Sequence, residues 1–424
     1  MSTNRLKQYI CIDLKSFFAS VECVERGLDP MTTPLVVADM SRGEKTICLA
    51  VTPQLKKMGV RNRCRVYEIP KNIEYIKAPP RMKKYIEYSA DVYGVYLKYI
   101  SKDDIHVYSI DEVFMDVTKY LPLYKMTAPE LAEKIRLDVY ETTGIPAACG
   151  IGTNLYLAKI ALDITAKKSP VFMGILDEES YRKTLWDHKP LTDFWHIGRG
   201  ISDRLAMYGI YTMRDLANYP EKTLYKKLGV DAEIYIDHTW GREPTTIKDI
   251  KEYKTKSRSY STSQILPRGY SFDEGLVIAK EMGEHLCMEL FDKDVTARSM
   301  TLYVGYENRQ RPSDGSTYKF DRPTNSVTDV IKGVERVYCA VTDKRTEVRK
   351  ISICFNGIEK QTCEQLDFFS DSEGKVRENI RMKTIHGIKK RYGKNSIFKG
   401  RDLEECATER ERNMQIGGHR SGEK

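Results

Sequence analysis

The stretch YICIDLKSFFASVE, residues 9–22, opens as an apolar strand, places an aspartate at the strand's end, and continues as a helix carrying two adjacent aromatics. The apolar run favours a buried strand and the spacing after it a helix. A carboxylate at the end of a buried strand is costly unless something at that edge uses it. Asp13 is therefore the first candidate for chemistry.

A second segment matches it. YSIDEVFMD, residues 108–116, alternates apolar and polar residues around Asp111-Glu112 and reads as a β-hairpin presenting two adjacent carboxylates near its turn. Adjacent carboxylates repel unless a cation lies between or beside them; solvated acidic turn residues are the ordinary alternative. Placed on neighbouring strands, Asp13, Asp111 and Glu112 would suit two Mg²⁺ ions, hard cations that take oxygen ligands. Two such ions, about 3.5–4 Å apart, clamp the attacking and leaving oxygens of an in-line phosphoryl displacement.

The 424 residues have room for about three domains. With 41% hydrophobic and 30% charged residues the chain can build cores but does not have the composition of a membrane protein. No apolar run reaches the roughly 18 residues of a spanning helix. The short run after Arg5 and Lys7 is broken by Asp13 and Lys15, unlike a signal peptide. A cytoplasmic protein without a membrane partner is the expectation. The ten cysteines are scattered and form no C-x-x-C pair, which argues against structural zinc and a disulfide framework.

Net charge is +9, which suits a polyanionic partner and equally a lysine-rich solvated surface. The excess concentrates between residues 41 and 98, where 13 Lys/Arg face 5 Asp/Glu. Tyr67, Tyr75, Tyr85, Tyr88, Tyr93 and Tyr96 interleave with these cations, a pattern suited to phosphates and stacked bases and also to plain helix packing.

Along the chain, residues 1–170 mix strands (35–39, 46–51, 105–118) with a glycine-stopped helix at 128–144 and a strand, glycine turn and helix at 147–168. Residues 171–243 read as helical. A polar, basic stretch follows over 244–262 as a linker or extended strand. Strands at 297–306 and 349–359 with helices near 274–291 and 324–341 make a small α+β domain, and 361–424 reads as a charged segment that is partly ordered at best.

ICIDLKSFFASVE, YSIDEVFMDVT, GIGTNLYLAKIA and WHIGRGISDRLAMYGI occur in the order found in Y-family, lesion-bypass DNA polymerases, and the chain resembles their bacterial SOS error-prone branch, the DNA polymerase V catalytic-subunit type in Gram-positive or mobile-element form. The resemblance implies a multidomain α/β and α+β right-hand polymerase. Its palm would span 1–18 and 78–170, its fingers 19–77, its thumb 171–243 and its little finger 263–360, with a tail over 361–424. It implies that Asp13 and Asp111 hold both metals, that the Leu14 carbonyl completes one shell, and that Glu112 serves the ion activating the primer 3′-hydroxyl. Asp116 would be structural. Phe18 would be the steric gate against a ribose 2′-hydroxyl, Phe17 would pack below the incoming base, and Lys159 and Lys56 would contact the triphosphate; by their own pattern the two aromatics also read as core-facing residues of an amphipathic helix, Phe17 above all, and Lys159 as a surface helix lysine. The fingers segment reads Pro53-Gln-Leu-Lys56 where the family usually offers an aromatic and an arginine, so fewer triphosphate contacts are expected.

Gly198 and Gly200, in a helix-hairpin-helix, would let backbone N–H groups hold DNA phosphates. Gln365, Leu366, Asp367, Phe368 and Phe369 resemble a sliding-clamp pentapeptide; packing onto the preceding domain is the other reading. The implied partners are primer-template DNA, dNTPs, the sliding clamp, and a recombinase filament or SOS accessory subunits. A non-catalytic DNA- and clamp-binding paralogue would be expected to have lost the carboxylates. A nucleotide cyclase, the other class with paired palm carboxylates, would have no use for the hairpin-helix or the clamp-like peptide.

Overall fold

The computed structural model describes residues 6–422 apart from 256, 309 and 362–371. It divides into two units, one ending at Tyr253 and one running from Lys254 to Glu423. The first unit holds the strands β1 (Tyr9–Leu14), β2 (Leu35–Val37), β3 (Ala50–Val51), β4 (Ile76–Ala78), β5 (Ile105–Val107), β6 (Glu112–Asp116), β7 (Ala147–Gly152) and β8 (Met173–Leu176). Its main sheet has the order β5-β6-β1-β7-β8, with β1 central and antiparallel to both β6 and β7.

Strand period 2 sorts β1 between two cores. Ile10, Ile12 and Leu14 enter a cluster with Tyr85 and Val92 of helix Met82–Leu97 and Leu131, Ile135 and Val139 of helix Ala128–Thr143. Tyr9 and Cys11 face the opposite cluster, with Phe114, Leu155 and Ala158. Asp13 follows them on that second face. Helix Ala128–Thr143 starts on a Thr127/Glu130 capping box and stops at Gly144, whose φ is 70°.

Helix Leu155–Ile160 lies hard against β7. A Cβ on Gly150 would stand 2.1 Å from the Ala158 carbonyl oxygen, and one on Gly152 2.3 Å from the Ala158 nitrogen. Only glycine permits this approach, and it brings the lysine of LYLAKI over the sheet. β8 pairs parallel with β7, so the sheet runs past residue 170 into a stretch read as helical. A second sheet, β3-β2-β4, encloses a small core of Val36, Cys48, Val51 and Leu55. Tyr181, Phe194, Leu205, Leu216 and Leu224 pack the helical region after β8.

The stretch 244–262, expected as a linker or extended strand, opens with helix Ile247–Glu252 and ends in a strand from Ser259: Thr246 and Asp249 cap the helix, and Ile247 is buried among the residues around Tyr9. Two isoleucines in a charged stretch gave too little periodic signal to announce it.

The second unit is a four-stranded antiparallel sheet, order β11-β10-β12-β9, formed by β9 (Ser259–Tyr270), β10 (Val295–Tyr306), β11 (Asp314–Thr324) and β12 (Val348–Asn356), with the short β13 (Glu359–Lys360) beside β10. Helices Phe272–Asp292 and Val327–Val341 share one core with its apolar face. The remainder corrects the partly ordered tail: residues 372–422 include helix Ser372–Tyr392, helix Glu409–Asn413 and a hairpin of β14 (Gln415–Ile416) and β15 (His419–Arg420). Glu378 accepts hydrogen bonds from the Thr328 amide (2.9 Å) and the Ser326 hydroxyl (2.8 Å), tying this segment to its own unit. Val376, Ile380 and Met382 make no continuous stripe, which is why the sequence did not announce the long helix.

Candidate catalytic carboxylate site

Register sets the site. Asp13 lies opposite Glu112 on β6 and opposite Ala148 on β7. The Leu14 amide donates to the Asp111 main-chain oxygen at 2.9 Å, and the amides of Tyr108 and Ser109 donate to the Glu112 carbonyl, closing the hairpin turn. The Ser89 hydroxyl donates to the Ile110 carbonyl at 2.6 Å, pinning that turn to helix Met82–Leu97. Strand ends and a pinned turn thus hold the three expected carboxylates together.

Their electrostatics are those of a site short of positive charge. Burial, then Asp111 and Glu112, push the Asp13 carboxyl up to about 7, against the opposing pull of Lys159. Glu112 is raised too, chiefly by burial. Its Oε1 lies 2.7 Å from the Lys159 ammonium and accepts from the Cys11 thiol at 3.2 Å. Asp111 Oδ1 accepts from the Ser109 hydroxyl at 2.6 Å. With the carboxylates turned to these neighbours, no group of three or more His, Cys, Asp or Glu among the described residues is already gathered around one ion position. The donor set itself, hard oxygens on a partly dry edge with excess negative charge around Asp13, fits a divalent cation.

Lys159 departs from its expected place. It is 8% exposed and bonded to Glu112 and to Asp163, whose Oδ2 is 3.1 Å away. Burial works against its charge, but Asp163 and Glu112 outweigh burial and hold it above the ordinary lysine range. Asp163 sits in a π-turn, Ala161–Thr165, that interrupts the helical run. The Lys159 ammonium thus lies at the carboxylate cluster, shared between Glu112 and Asp163.

The open cations lie elsewhere. Lys56, in the last turn of helix Pro53–Lys57, donates to the Ser16 hydroxyl at 2.9 Å. Its pKa is lowered by burial and by Lys167, against Asp13. Lys15 lies 3.6 Å from the centre of the Phe172 ring, and burial lowers it as well, with Lys56, Arg136 and Lys167 adding repulsion against Asp13. Lys167 itself is exposed. Lys15, Lys56 and Lys167 therefore crowd the rim around Asp13. Sequence reading missed Lys15 and Lys167; the signal for Lys15 was its position two residues after Asp13, on the same side of a strand end.

Ser16 turns the chain from strand to helix in one left-handed residue, φ 49° and ψ 43°, a cost that a non-glycine residue bears where position matters. The two aromatics that follow then part company. Phe17 is 2% exposed in the main core, the core-facing place open to either aromatic of this helix. Phe18 is half-buried and stacks on Tyr85 with ring centroids 4.5 Å apart and planes 16° off parallel. The Tyr85 hydroxyl donates to Glu22 at 2.8 Å, and Arg81 pairs with the same fully buried carboxylate, so the surface behind Phe18 is fixed.

Asp116 accepts from the Thr118 amide at 3.0 Å, in a local turn without a charged partner in that contact. Gly198 caps helix Arg199–Ala206, and a Cβ on Gly198 or Gly200 would meet nothing within 4 Å, so that helix start is open. Gln365, Leu366, Phe368 and Phe369 lie outside the described residues. Among the described residues no helix is long and apolar enough to cross a membrane.

Residues 12–163 match the impB/mucB/samB family and residues 257–368 match that family's C-terminal domain. The chain is similar to the putative UV-damage repair protein UvrX of Bacillus subtilis, 29% identical over 98% of each chain. It is also similar to DNA polymerase IV 2 of the same organism, 28% identical over 97% of this chain and 98% of the relative. A solved Y-family DNA polymerase chimera of Dbh and Dpo4 shares the fold, with TM-score 0.64 and 21% identity over 83% of this chain and 99% of its own.

Proposed function

The chain belongs to the impB/mucB/samB family of Y-family lesion-bypass DNA polymerases, and from that premise we propose that it extends primers across damaged template bases by two-metal nucleotidyl transfer, as part of a DNA-damage response. The observation that carries the site assignment is the register of Asp13 against Glu112, with Asp111 held beside them by the Leu14 amide.

Asp13, Asp111, Glu112 and the Leu14 carbonyl are the groups that would hold Mg²⁺, which when bound supplies Lewis acidity to the attacking and leaving oxygens. The side chains around them do the rest. Lys15, Lys56 and Lys167 present point charges to a triphosphate, the task expected of Lys159. Lys159 instead keeps charge balance at Glu112. Lys56 replaces the bidentate arginine usual at that position, and Pro53 starts its helix without offering a hydroxyl, so triphosphate binding rests on monodentate ammonium contacts. Phe18, backed by Tyr85, blocks a ribose 2′-hydroxyl. The open helix start at Gly198 and Gly200 takes primer-template phosphates, and residues 365–369 take the sliding clamp. A recombinase filament or SOS accessory subunits complete the partner set in the cytoplasm.

The non-catalytic alternative is countered by the presence of all three carboxylates. Primer extension with Mg²⁺ and dNTPs tests the reading: wild type extends, Asp111→Ala/Glu112→Ala does not, and added clamp stimulates. A wild type that binds DNA but stays inactive with clamp and recombinase filament supplied would establish the non-catalytic protein instead.

A further inference from the structure

The segment that carries Lys56 is bracketed by two cysteines, and we propose that Cys48 and Cys64 are a redox modification site, joined into a reversible disulfide by a hydroperoxide or a low-molecular-weight disulfide.

The backbone places them face to face. Ile47 and Arg65 form an antiparallel bridge. The Val66 amide donates to the Thr46 carbonyl at 3.1 Å on one side of it, and the Cys48 amide to the Cys64 carbonyl at 2.8 Å on the other. One step from the bridge, Cys48 is thus directly opposite Cys64, and opposed residues on an antiparallel pair leave on the same face. Only one of the two ladder hydrogen bonds joins them, since the Cys64 amide donates to the Arg61 carbonyl at 3.4 Å; opposed residues of an antiparallel pair have Cα atoms about 4.5–5.5 Å apart, inside the ~4.4–6.8 Å that a disulfide spans. The two thiols already feel each other: burial and then Cys64 push the Cys48 thiol up to about 12. By contrast, the Cys11 and Cys354 thiols donate to Glu112 and Asn356.

Access is asymmetric. Cys48 is buried and Cys64 half-buried, so the oxidant meets Cys64 first. The Cys64 sulfur attacks a peroxide oxygen, the O–O bond breaks, one water leaves and a sulfenic acid remains. The Cys48 sulfur then attacks the Cys64 sulfur, the S–O bond breaks and a second water leaves. Two thiols and one hydrogen peroxide give one disulfide and two waters, with two electrons passing to the peroxide; with a low-molecular-weight disulfide, the Cys64 sulfur takes one half and releases one thiol, and the Cys48 sulfur then displaces the second thiol. Thiol–disulfide exchange with a dithiol reverses it. Intracellular disulfides of this transient kind sense redox state rather than brace folds.

The bond would close residues 48–64 into a loop containing β3 and helix Pro53–Lys57, and so constrain Lys56 beside Ser16. That consequence rests on the proposed polymerase function; the disulfide itself does not.

Purified full-length protein is treated with hydrogen peroxide, or with oxidised glutathione, blocked with N-ethylmaleimide, digested with trypsin without reductant and weighed. Cleavage after Lys45, Lys56, Arg63 and Arg65 leaves Cys48 on peptide 46–56 and Cys64 on the dipeptide Cys64-Arg65. The expected result is these two peptides joined, about 2 Da lighter than their sum and separated by dithiothreitol. Cys48→Ser and Cys64→Ser should each abolish the joined species with an unchanged thermal melt; Cys64→Ala replaces either variant if it fails to fold. Recovery of both cysteines as maleimide adducts, or of Cys64 only as a sulfinic acid or a glutathione adduct, overturns the proposal. In primer extension, oxidised wild type should show a several-fold change in KM for dNTP that Cys64→Ser lacks. A joined peptide pair with unchanged KM would refute the effect on Lys56, whereas an absent pair refutes the modification whatever the extension result.

Discussion

Asp13 in the first unit and Glu281 in the second are both carboxyls pushed up to about 7, in each case first by burial. What surrounds them differs. Around Asp13 the next contributors are the carboxylates of Asp111 and Glu112. Glu281, fully buried, has Arg412 3.6 Å away and accepts hydrogen bonds from the Thr408 amide (3.2 Å) and hydroxyl (3.2 Å). A perturbed carboxyl is therefore not itself a mark of function. Crowding by like charge at an edge asks for a cation from outside, whereas Glu281 already faces a cation and two donors of its own unit, contacts that fasten residues 408–412 to helix Phe272–Asp292 although Arg412 Nε and Nη2 make no hydrogen bond.

The largest difference should appear when each cluster is cut. Asp111→Ala/Glu112→Ala should lower single-nucleotide incorporation by roughly a thousandfold or more, the loss of several kcal/mol of transition-state stabilisation, with a melting temperature near wild type, because relief of the repulsion on Asp13 offsets the loss of one partner of Lys159, which keeps Asp163. Glu281→Ala should do the reverse. It should cost about 3 kcal/mol of stability, read by urea denaturation, by leaving the Arg412 charge buried and unpaired. A destabilised palm variant and a neutral Glu281→Ala would break the contrast.

Adjacent Phe17 and Phe18 sharpen it at the scale of one turn. Phe17→Ala should lose about 3–5 kcal/mol of stability as a core truncation and keep its sugar discrimination. Phe18→Ala should stay folded and incorporate ribonucleotides more readily. Lys56→Ala and Lys167→Ala should each raise KM for dNTP about tenfold, near 1.4 kcal/mol, with kcat changed less.

The smallest effect is in pH. Glu281 holds its proton more tightly folded than unfolded, so the folded state binds more protons between about 4.5 and 7. Its contribution to stability is present below that window and falls as pH rises through it. Arg412 opposes the shift while Glu409 and Asp402 add to it. Melts of wild type and Glu281→Gln at pH 5 and pH 8 should show the larger loss in wild type.

Local sequence carried a great deal of this. Asp13 at a strand end and Asp111-Glu112 at a hairpin turn were legible because period-2 patterning and turn chemistry act over a few residues. The glycines of GIGTNLYLAKIA read as a turn, whereas Gly150 and Gly152 lie in β7 and admit the following helix. What escaped was set by distant partners. The pairing of Lys159 with Glu112 and Asp163 was not legible, because the two carboxylates come from a strand far off in the chain and from a π-turn that no spacing rule anticipates. Phe17 and Phe18 look alike until the left-handed Ser16 decides which enters the core. Residues 372–422 read as a polar tail because their attachment is made by buried ion pairs and hydrogen bonds, with little apolar patterning.

The most direct test is the Mg²⁺-dependent thermal shift of the protein bound to primer-template and a non-hydrolysable dNTP analogue, since a cation held by the folded state raises its melting temperature. Wild type and Glu281→Gln should shift upward together, and Asp13→Ala/Glu112→Ala should not shift. An equal shift in the Asp13→Ala/Glu112→Ala variant, or none in wild type, would contradict the assignment of these carboxylates as the metal-binding catalytic site.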